Sequence, residues 1–296
     1  MQIIDGKKVS EELKEKIKQE TEAWVNSGGK KPHLCAILVG NDGASHTYVA
    51  AKMKDCESIG FTSSIYRFDD TVSEEKLLET IQKINNNPDI DGLIVQLPLP
   101  KHISVDKVTQ TIAPEKDVDG FHPQNVGRLS IGLPTYVSAT PYGIMQLLAY
   151  YKIETSGKHC VVLGRSNIVG TPVSILMSRN THPGNATVTL CHSKTKNLED
   201  YTRNADIIIA AIGIPEFVKA GMVKPGAVVI DVGITRITDA SKKSGYRLVG
   251  DVAYDEVAPL CSYITPVPGG VGPMTRIGLL MNTLKSARKE IYRGKI

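Results

Sequence analysis

Short apolar runs alternate with segments whose apolar residues recur every three or four positions, and no other feature of this sequence limits its fold so tightly. Residues 34–39 read as a buried strand, Val49, Met53 and Cys56 then recur at helical spacing, and 65–68 resumes a strand-like run. Leu77, Ile81 and Ile84 form a helix face that Asn85-Asn86-Asn87-Pro88 interrupts, and 92–98 reads as the next strand. Strand, helix and strand in succession call for crossover connections, which give a largely parallel sheet. The rhythm lapses around 130–142 in Gly132, Pro134 and Pro141, where Thr140-Pro141 predicts an N-cap followed by proline at the first helical position. A domain boundary is expected there, since 296 residues exceed the usual size of one domain. A second series then runs through strand 159–163, a helix from about 168, and strands 186–191, 207–210 and 227–231, in an order that suits a Rossmann-like unit. Beyond the Pro/Gly-rich segment 265–273, Ile277, Leu280, Met281 and Leu284 mark a final helix.

Composition removes several classes of function. With 41% hydrophobic and 22% charged residues the chain can bury a core, which excludes disordered, collagenous and disulfide-scaffold proteins. The net charge of +4 comes from scattered residues, without a basic block, so no nucleic-acid partner is expected. The first residues lack an apolar signal core, and no run approaches the ~18 apolar residues of a membrane span, so a cytoplasmic protein without a membrane partner is expected. Cys35, Cys56, Cys160, Cys191 and Cys261 are odd in number and lack C-x-x-C spacing. They read as reduced core residues, and no metal site is expected.

Two segments suggest chemistry. In Val161-Val162-Leu163-Gly164-Arg165-Ser166-Asn167-Ile168-Val169-Gly170, glycines stand where a strand turns into a helix, and bare N–H groups with the helix dipole can hold a pyrophosphate there. The spacing departs from G-x-G-x-x-G, so a purely structural turn is equally compatible with it. The end of the next strand, Cys191-His192-Ser193-Lys194-Thr195-Lys196, lacks the acid that would bind a ribose 2′-hydroxyl. Arg165 and Ser193, with His192 nearby, could instead ligate a 2′-phosphate, which favours NADP. Lys194 reads better as a solvated loop residue. In the first half, Tyr48 and Lys52 stand one turn apart beside the apolar stripe of Val49 and Met53, a spacing that taken alone more often marks a solvated helix edge. The strand ending in Val95-Gln96-Leu97-Pro98 and the acids of Lys116-Asp117-Val118-Asp119-Gly120 make a ligand cleft the better reading, because ligands of open α/β sheets bind at strand ends.

These residues resemble the bifunctional methylenetetrahydrofolate dehydrogenase/methenyltetrahydrofolate cyclohydrolase family along nearly the whole chain. The matching motifs are Tyr48-x-x-x-Lys52, Gly92-Leu93-Ile94-Val95-Gln96-Leu97-Pro98-Leu99-Pro100, Pro114-Glu115-Lys116-Asp117-Val118-Asp119-Gly120, Gly164-Arg165-Ser166 with Val169-Gly170, and Pro266-Val267-Pro268-Gly269-Gly270-Val271-Gly272-Pro273-Met274-Thr275. The resemblance implies an α/β protein of two domains. A three-layer folate-binding catalytic domain over 1–140 would be completed by a C-terminal helix over 273–296, with a Rossmann-like NADP domain over 141–272. Tetrahydrofolate derivatives would be its substrates, NADP its cofactor and a homodimer its assembly, within one-carbon metabolism. Tyr48 would stack on the aminobenzoate ring and Asp119 would accept the pterin's N–H donors. Lys52, oriented by Gln96, would serve hydrolysis, with Val95 and Leu97 beside the substrate. Pro268, Gly269, Gly270 and Gly272 would let backbone approach the folate, while Gly164, Arg165, Ser166, His192, Ser193 and Ile234 would contact NADP. Two competing readings are another two-domain NADP oxidoreductase, such as a shikimate or amino-acid dehydrogenase, and a folate- or dinucleotide-binding protein without turnover.

Overall fold

The computed structural model describes residues 1–242 and 245–292. They divide into two compact units, one of Met1–Glu11 with Thr140–Thr275, the other of Glu12–Ala139 with the residues from Arg276 on.

The unit around Thr140–Thr275 is built on a six-stranded sheet. Strands β5 (His159–Leu163), β6 (Thr187–Cys191), β7 (Ile207–Ala210) and β8 (Val228–Asp231) join β1 (Gln2–Ile3) and β11 (Tyr263–Ile264) in the order β1-β11-β8-β7-β5-β6. Every pairing is parallel. Residues 1–11 fall in this unit because β1 pairs beside β11, Gln2 opposite Tyr263, and the Ile4 N–H donates to Ile264 O at 2.8 Å. All four residues of β7 and of β8 are buried, as a sheet covered on both faces requires. Val161, Ile208, Val229 and Ile264 share one core cluster with Val218, Val252 and Val257. The order places β6 on one side of β5 and β7 on the other, so the topological switch lies at the C-terminal ends of β5 and β7. A two-stranded antiparallel ribbon, β9 (Thr235–Thr238) with β10 (Tyr246–Val249), follows β8.

The other unit holds a three-stranded parallel sheet in the order β3-β2-β4, from β2 (His33–Val39), β3 (Thr62–Phe68) and β4 (Gly92–Val95). Cys35, Ile37 and Val39 on one face of β2 pack with Leu77, Ile81 and Ile84 of α3 (Glu74–Asn85) and with Val108 of α4 (Val105–Thr111). Ser73 caps α3, its hydroxyl accepting from the Lys76 N–H, and Glu74 and Glu75 suit the positive end of the helix dipole.

Several boundaries differ from the sequence expectations for identifiable reasons. The strand expected over 92–98 ends at Val95. Gln96 still donates its N–H to Ile37 O, but the partner strand ends at Val39 and Pro98 has no N–H to continue a ladder. The helix expected from 168, α7 (Gly170–Ser178), begins two residues later because Val169 holds a non-helical conformation at its N-cap. Thr140 does not cap α6 (Ala139–Tyr150), which has already begun, and its hydroxyl instead pairs with that of Thr275 at 2.9 Å. The last helix, α10 (Val271–Ala287), starts inside the Pro/Gly-rich segment, where Pro273 is tolerated in a first turn because no intrahelical partner awaits its missing N–H. Residues 293–296, included in the expected C-terminal helix, lie outside the described residues. A 21-residue helix α1 (Gly6–Asn26) was not foreseen.

Candidate active site

Helix α2 (Gly43–Ser58) carries the first two candidate residues. Asp42 starts it by accepting the Ser45 N–H at 2.7 Å, and the helix then presents Tyr48 and Lys52 one turn apart. Gln96, pinned at the end of β4 by its backbone bond to Ile37, lies opposite. Lys52 Nζ donates to Gln96 Oε1 at 3.1 Å, and Gln96 Nε2 donates to the Leu97 carbonyl at 2.7 Å. With both ends of the amide engaged, Gln96 can present only its oxygen to the lysine, and one N–H of the ammonium is directed by it. Tyr48 is 47% exposed, which leaves its ring face open to a flat ligand.

Asp119 follows in the turn between Asp117 and Gly120. Burial raises its carboxyl above the usual carboxylate range, and the Lys52 ammonium opposes that shift. Val95, Leu97 and Asp119 line one small cavity with Phe121, Ile112 and a second acid, Asp117. One turn beyond Lys52, buried Asp55 forms ion pairs with Lys14 of α1 and, at 2.7 Å, with Arg276 of α10. This pairing fixes the helix that carries Lys52.

In the other unit the turn after β5 is shaped by backbone alone. Gly164 has φ +104°, and a Cβ there would lie 2.2 Å from Ala211 O, in the loop leaving β7. A Cβ on Gly170 would lie 1.9 Å from Gly164 O. Only glycines let these segments meet at the switch point. Ser166 Oγ accepts from Val169 N at 3.1 Å and Gly170 N at 3.5 Å, so part of its polar capacity goes to starting α7. Arg165 and Ser193 are exposed at the ends of β5 and β6, and His192 is half-buried. Backbone at a helix N-terminus, an exposed guanidinium and a hydroxyl, with no acid among them, fit a dinucleotide bearing a 2′-phosphate.

Pro268, Gly269, Gly270, Gly272 and Ile234 belong to this second unit, not to the unit of Lys52, Gln96 and Asp119. Gly269 (φ +106°) accepts the Lys7 N–H through its carbonyl, and a Cβ on Gly6 would lie 1.8 Å from Gly270 O, so local packing also demands these glycines. Ile234 is 42% exposed just past β8.

Sequence reasoning missed the acids that hold those loops. Asp231 accepts from the N–H groups of Gly233, Asp251 and Val252, and Asp251 Oδ2 accepts from Ile212 and Gly213. Burial pushes the Asp231 carboxyl up to about 7 against those donors. The available signal was glycine beside each acid, in Asp231-Val232-Gly233 and Gly250-Asp251-Val252: a Cβ on Gly250 would lie 1.9 Å from Asp231 Oδ2.

Comparison with known proteins decides the family. Residues 4–119 match the catalytic-domain model of tetrahydrofolate dehydrogenase/cyclohydrolase, and 138–291 match its NAD(P)-binding-domain model. The chain belongs to the tetrahydrofolate dehydrogenase/cyclohydrolase family. A bifunctional protein FolD of Bacteroides thetaiotaomicron is 63% identical over 293 residues, covering 99% of this chain and all of the relative. That of Porphyromonas gingivalis is 59% identical over 291 residues, 98% of each chain. Among solved structures, the Campylobacter jejuni FolD superposes with a TM-score of 0.92 at 45% identity over 98% of this chain and 99% of that one. The Trypanosoma brucei enzyme, solved with NADP and an inhibitor, gives 0.91 at 38% identity over 98% of each. Membership in the dehydrogenase/cyclohydrolase family covers both units, and it displaces the shikimate- or amino-acid-dehydrogenase reading. Among the described residues, no helix is long and apolar enough to cross a membrane.

Proposed function

We propose that this member of the family oxidises 5,10-methylenetetrahydrofolate with NADP and then hydrolyses the methenyl product to 10-formyltetrahydrofolate. The observation that carries the reading is the Lys52–Gln96 pair, a directed amine whose charge acts on the half-buried Asp119. When bound, the nicotinamide supplies the hydride acceptor. The lone pairs of N5 and N10 expel the hydride, so the protein's task in that step is alignment. Tyr48 stacks on the aminobenzoate ring, Asp119 takes the pterin's N–H donors in charge-assisted bonds, and Val95 and Leu97 exclude water from the ring. Pro268, Gly269, Gly270 and Gly272 border the folate through backbone. Gly164, Arg165, Ser166, His192, Ser193 and Ile234 hold the cofactor, with Arg165 and Ser193 on its 2′-phosphate.

Hydrolysis makes a different demand. Water attacks the amidinium carbon and loses a proton to give a carbinolamine; N5 then gains a proton and leaves as the C–N5 bond breaks, while the carbinol hydroxyl gives up its proton as the formyl C=O forms, so one proton is released overall. Lys52 is the group in this unit suited to carry that proton, with Gln96 holding its nitrogen in place. We further propose a cytoplasmic homodimer supplying one-carbon units to purine and amino-acid biosynthesis. Five unpaired, buried cysteines support a reducing compartment, and sedimentation tests the dimer.

The test is a cofactor-reduction assay with methylenetetrahydrofolate and NADP, followed by the absorbance of methenyltetrahydrofolate. Turnover of NADP with a transient methenyl signal is expected. Binding of folate and NADP without turnover would replace the enzyme reading with that of a ligand-binding protein.

A further inference from the structure

The turn that carries Asp119 is held from beneath by a chain of hydrogen bonds ending in the C-terminal segment. Asp117, 1% exposed, accepts from the His122 N–H at 2.7 Å and from Asn125 Nδ2 at 2.8 Å, both on Oδ2. Asn125 is fully buried. Its Nδ2 also donates to Pro114 O at 3.0 Å, and its Oδ1 accepts from Thr135 Oγ1 at 2.9 Å and from the Tyr292 hydroxyl at 2.7 Å. Tyr292 lies beyond α10. Its ring meets Tyr136 at 5.9 Å between centroids, and the Arg128 guanidinium lies 5.1 Å over it. On the other side of the turn, Gly120 (φ +71°) leaves no room for a Cβ, which would lie 2.7 Å from Tyr136 O and Ser138 N. Val118 and Asp119 thus lie between a clamped acid and a clamped glycine. A buried polar network satisfied at every member gives its neighbours one position.

We propose that Tyr292, Asn125 and Asp117 are positioning residues for Asp119, setting where its carboxylate meets the folate ring. The proposal rests on the reading of Asp119 as the folate anchor. None of the three touches the reacting atoms, so their loss shifts folate recognition and leaves the proton transfer at Lys52 intact.

Tyr292→Phe keeps the ring contacts and removes one hydroxyl. The KM for methylenetetrahydrofolate is expected to rise about three- to tenfold, the loss of one neutral hydrogen bond, with kcat, the KM for NADP and the urea midpoint close to the parent's. Asp117→Asn, which sets an amide against the Asn125 donor, should raise it further. Asp119→Asn serves as the reference, and in that background Tyr292→Phe should add little, because coupled residues are non-additive. A parent-like folate KM in Tyr292→Phe, with Asp119→Asn strongly impaired, would overturn the brace and leave the anchor standing. Folate binding intact in Asp119→Asn would overturn both. Equal losses in kcat, cofactor affinity and stability for Tyr292→Phe would assign these residues to general structure and overturn the proposal.

Discussion

In one unit the turn after β5 is made by glycines that let backbone meet backbone; in the other, Lys52 and Gln96 are two side chains, 44 residues apart in sequence, joined by a single hydrogen bond. The first site is local. Its geometry follows from a strand, a turn of defined sterics and a helix start, all within 159–178. The second exists only after α2 and β4 have packed, and its chemistry depends on which atoms of an amide and an amine face each other. A site made of backbone tolerates changes of side-chain chemistry and fails when a methyl group is added. A site made of side chains does the reverse.

That contrast can be broken most severely at Gly170. In Gly170→Ala the new Cβ must displace the Gly164 carbonyl, so NADP affinity is expected to fall by more than about 100-fold, equivalent to ~2.7 kcal/mol, as read by calorimetric titration. Folate binding should stay near the parent value. Parent-like NADP affinity would show that the turn is structural only. Arg165→Ala, which changes side-chain chemistry at the same turn, should cost less: about ten- to a hundredfold in NADP affinity, the value of a charge-assisted contact, with NAD binding little changed. Equal losses for the two cofactors would remove Arg165 from the 2′-phosphate.

The smallest expected effect concerns stability and treats the two units alike. Burial pushes the carboxyls of Asp117 in one unit and Asp231 in the other up to about 7. Between the unfolded carboxyl range near ~4 and that value, the folded state keeps protons that the unfolded chain has released. Each group therefore withdraws stability as pH rises through this window, at most about 1.4 kcal/mol per pH unit. Urea midpoints at pH 5 and pH 7 should converge more closely for Asp117→Asn and Asp231→Asn, after allowing for the pH trend of other groups, than for the parent. A steeper fall in either variant would show that its backbone N–H donors hold the charged form.

The same division between local and assembled structure governs what the sequence disclosed. Strand β2 and helix α3 stand out because an unbroken apolar run and a Leu77–Ile81–Ile84 stripe bounded by Ser73 and Asn86 are local patterns. Helix α1 escaped notice although Val9, Leu13, Ile17 and Thr21 recur every four residues, because the lysines and glutamates between them dilute the stripe. Motifs pointed to Lys52, Gln96 and Asp119. They could not disclose that Gln96 is fixed by Leu97, or that Asn125, bonded to Asp117, also takes the hydroxyl of Tyr292 from 167 residues away, since those bonds depend on packing. Asp231 and Asp251 left only their neighbouring glycines as a signal, because an acid at a strand end looks solvated until the N–H groups around it are seen.

The central claim is that Lys52 handles a proton in hydrolysis and only helps to position the bridge in oxidation. Lys52→Met keeps most of the stem's bulk and removes the amine, so one preparation supplied with methylenetetrahydrofolate and NADP reads both activities at once. Cyclohydrolase turnover is expected to fall by the ~10²–10⁴-fold typical of losing a general base, while dehydrogenase turnover falls less. Methenyltetrahydrofolate should then accumulate faster than spontaneous hydrolysis removes it, whereas the parent releases more of the 10-formyl product. Similar losses of both activities, with folding and ligand binding intact, would contradict the account and make Lys52 a positioning residue.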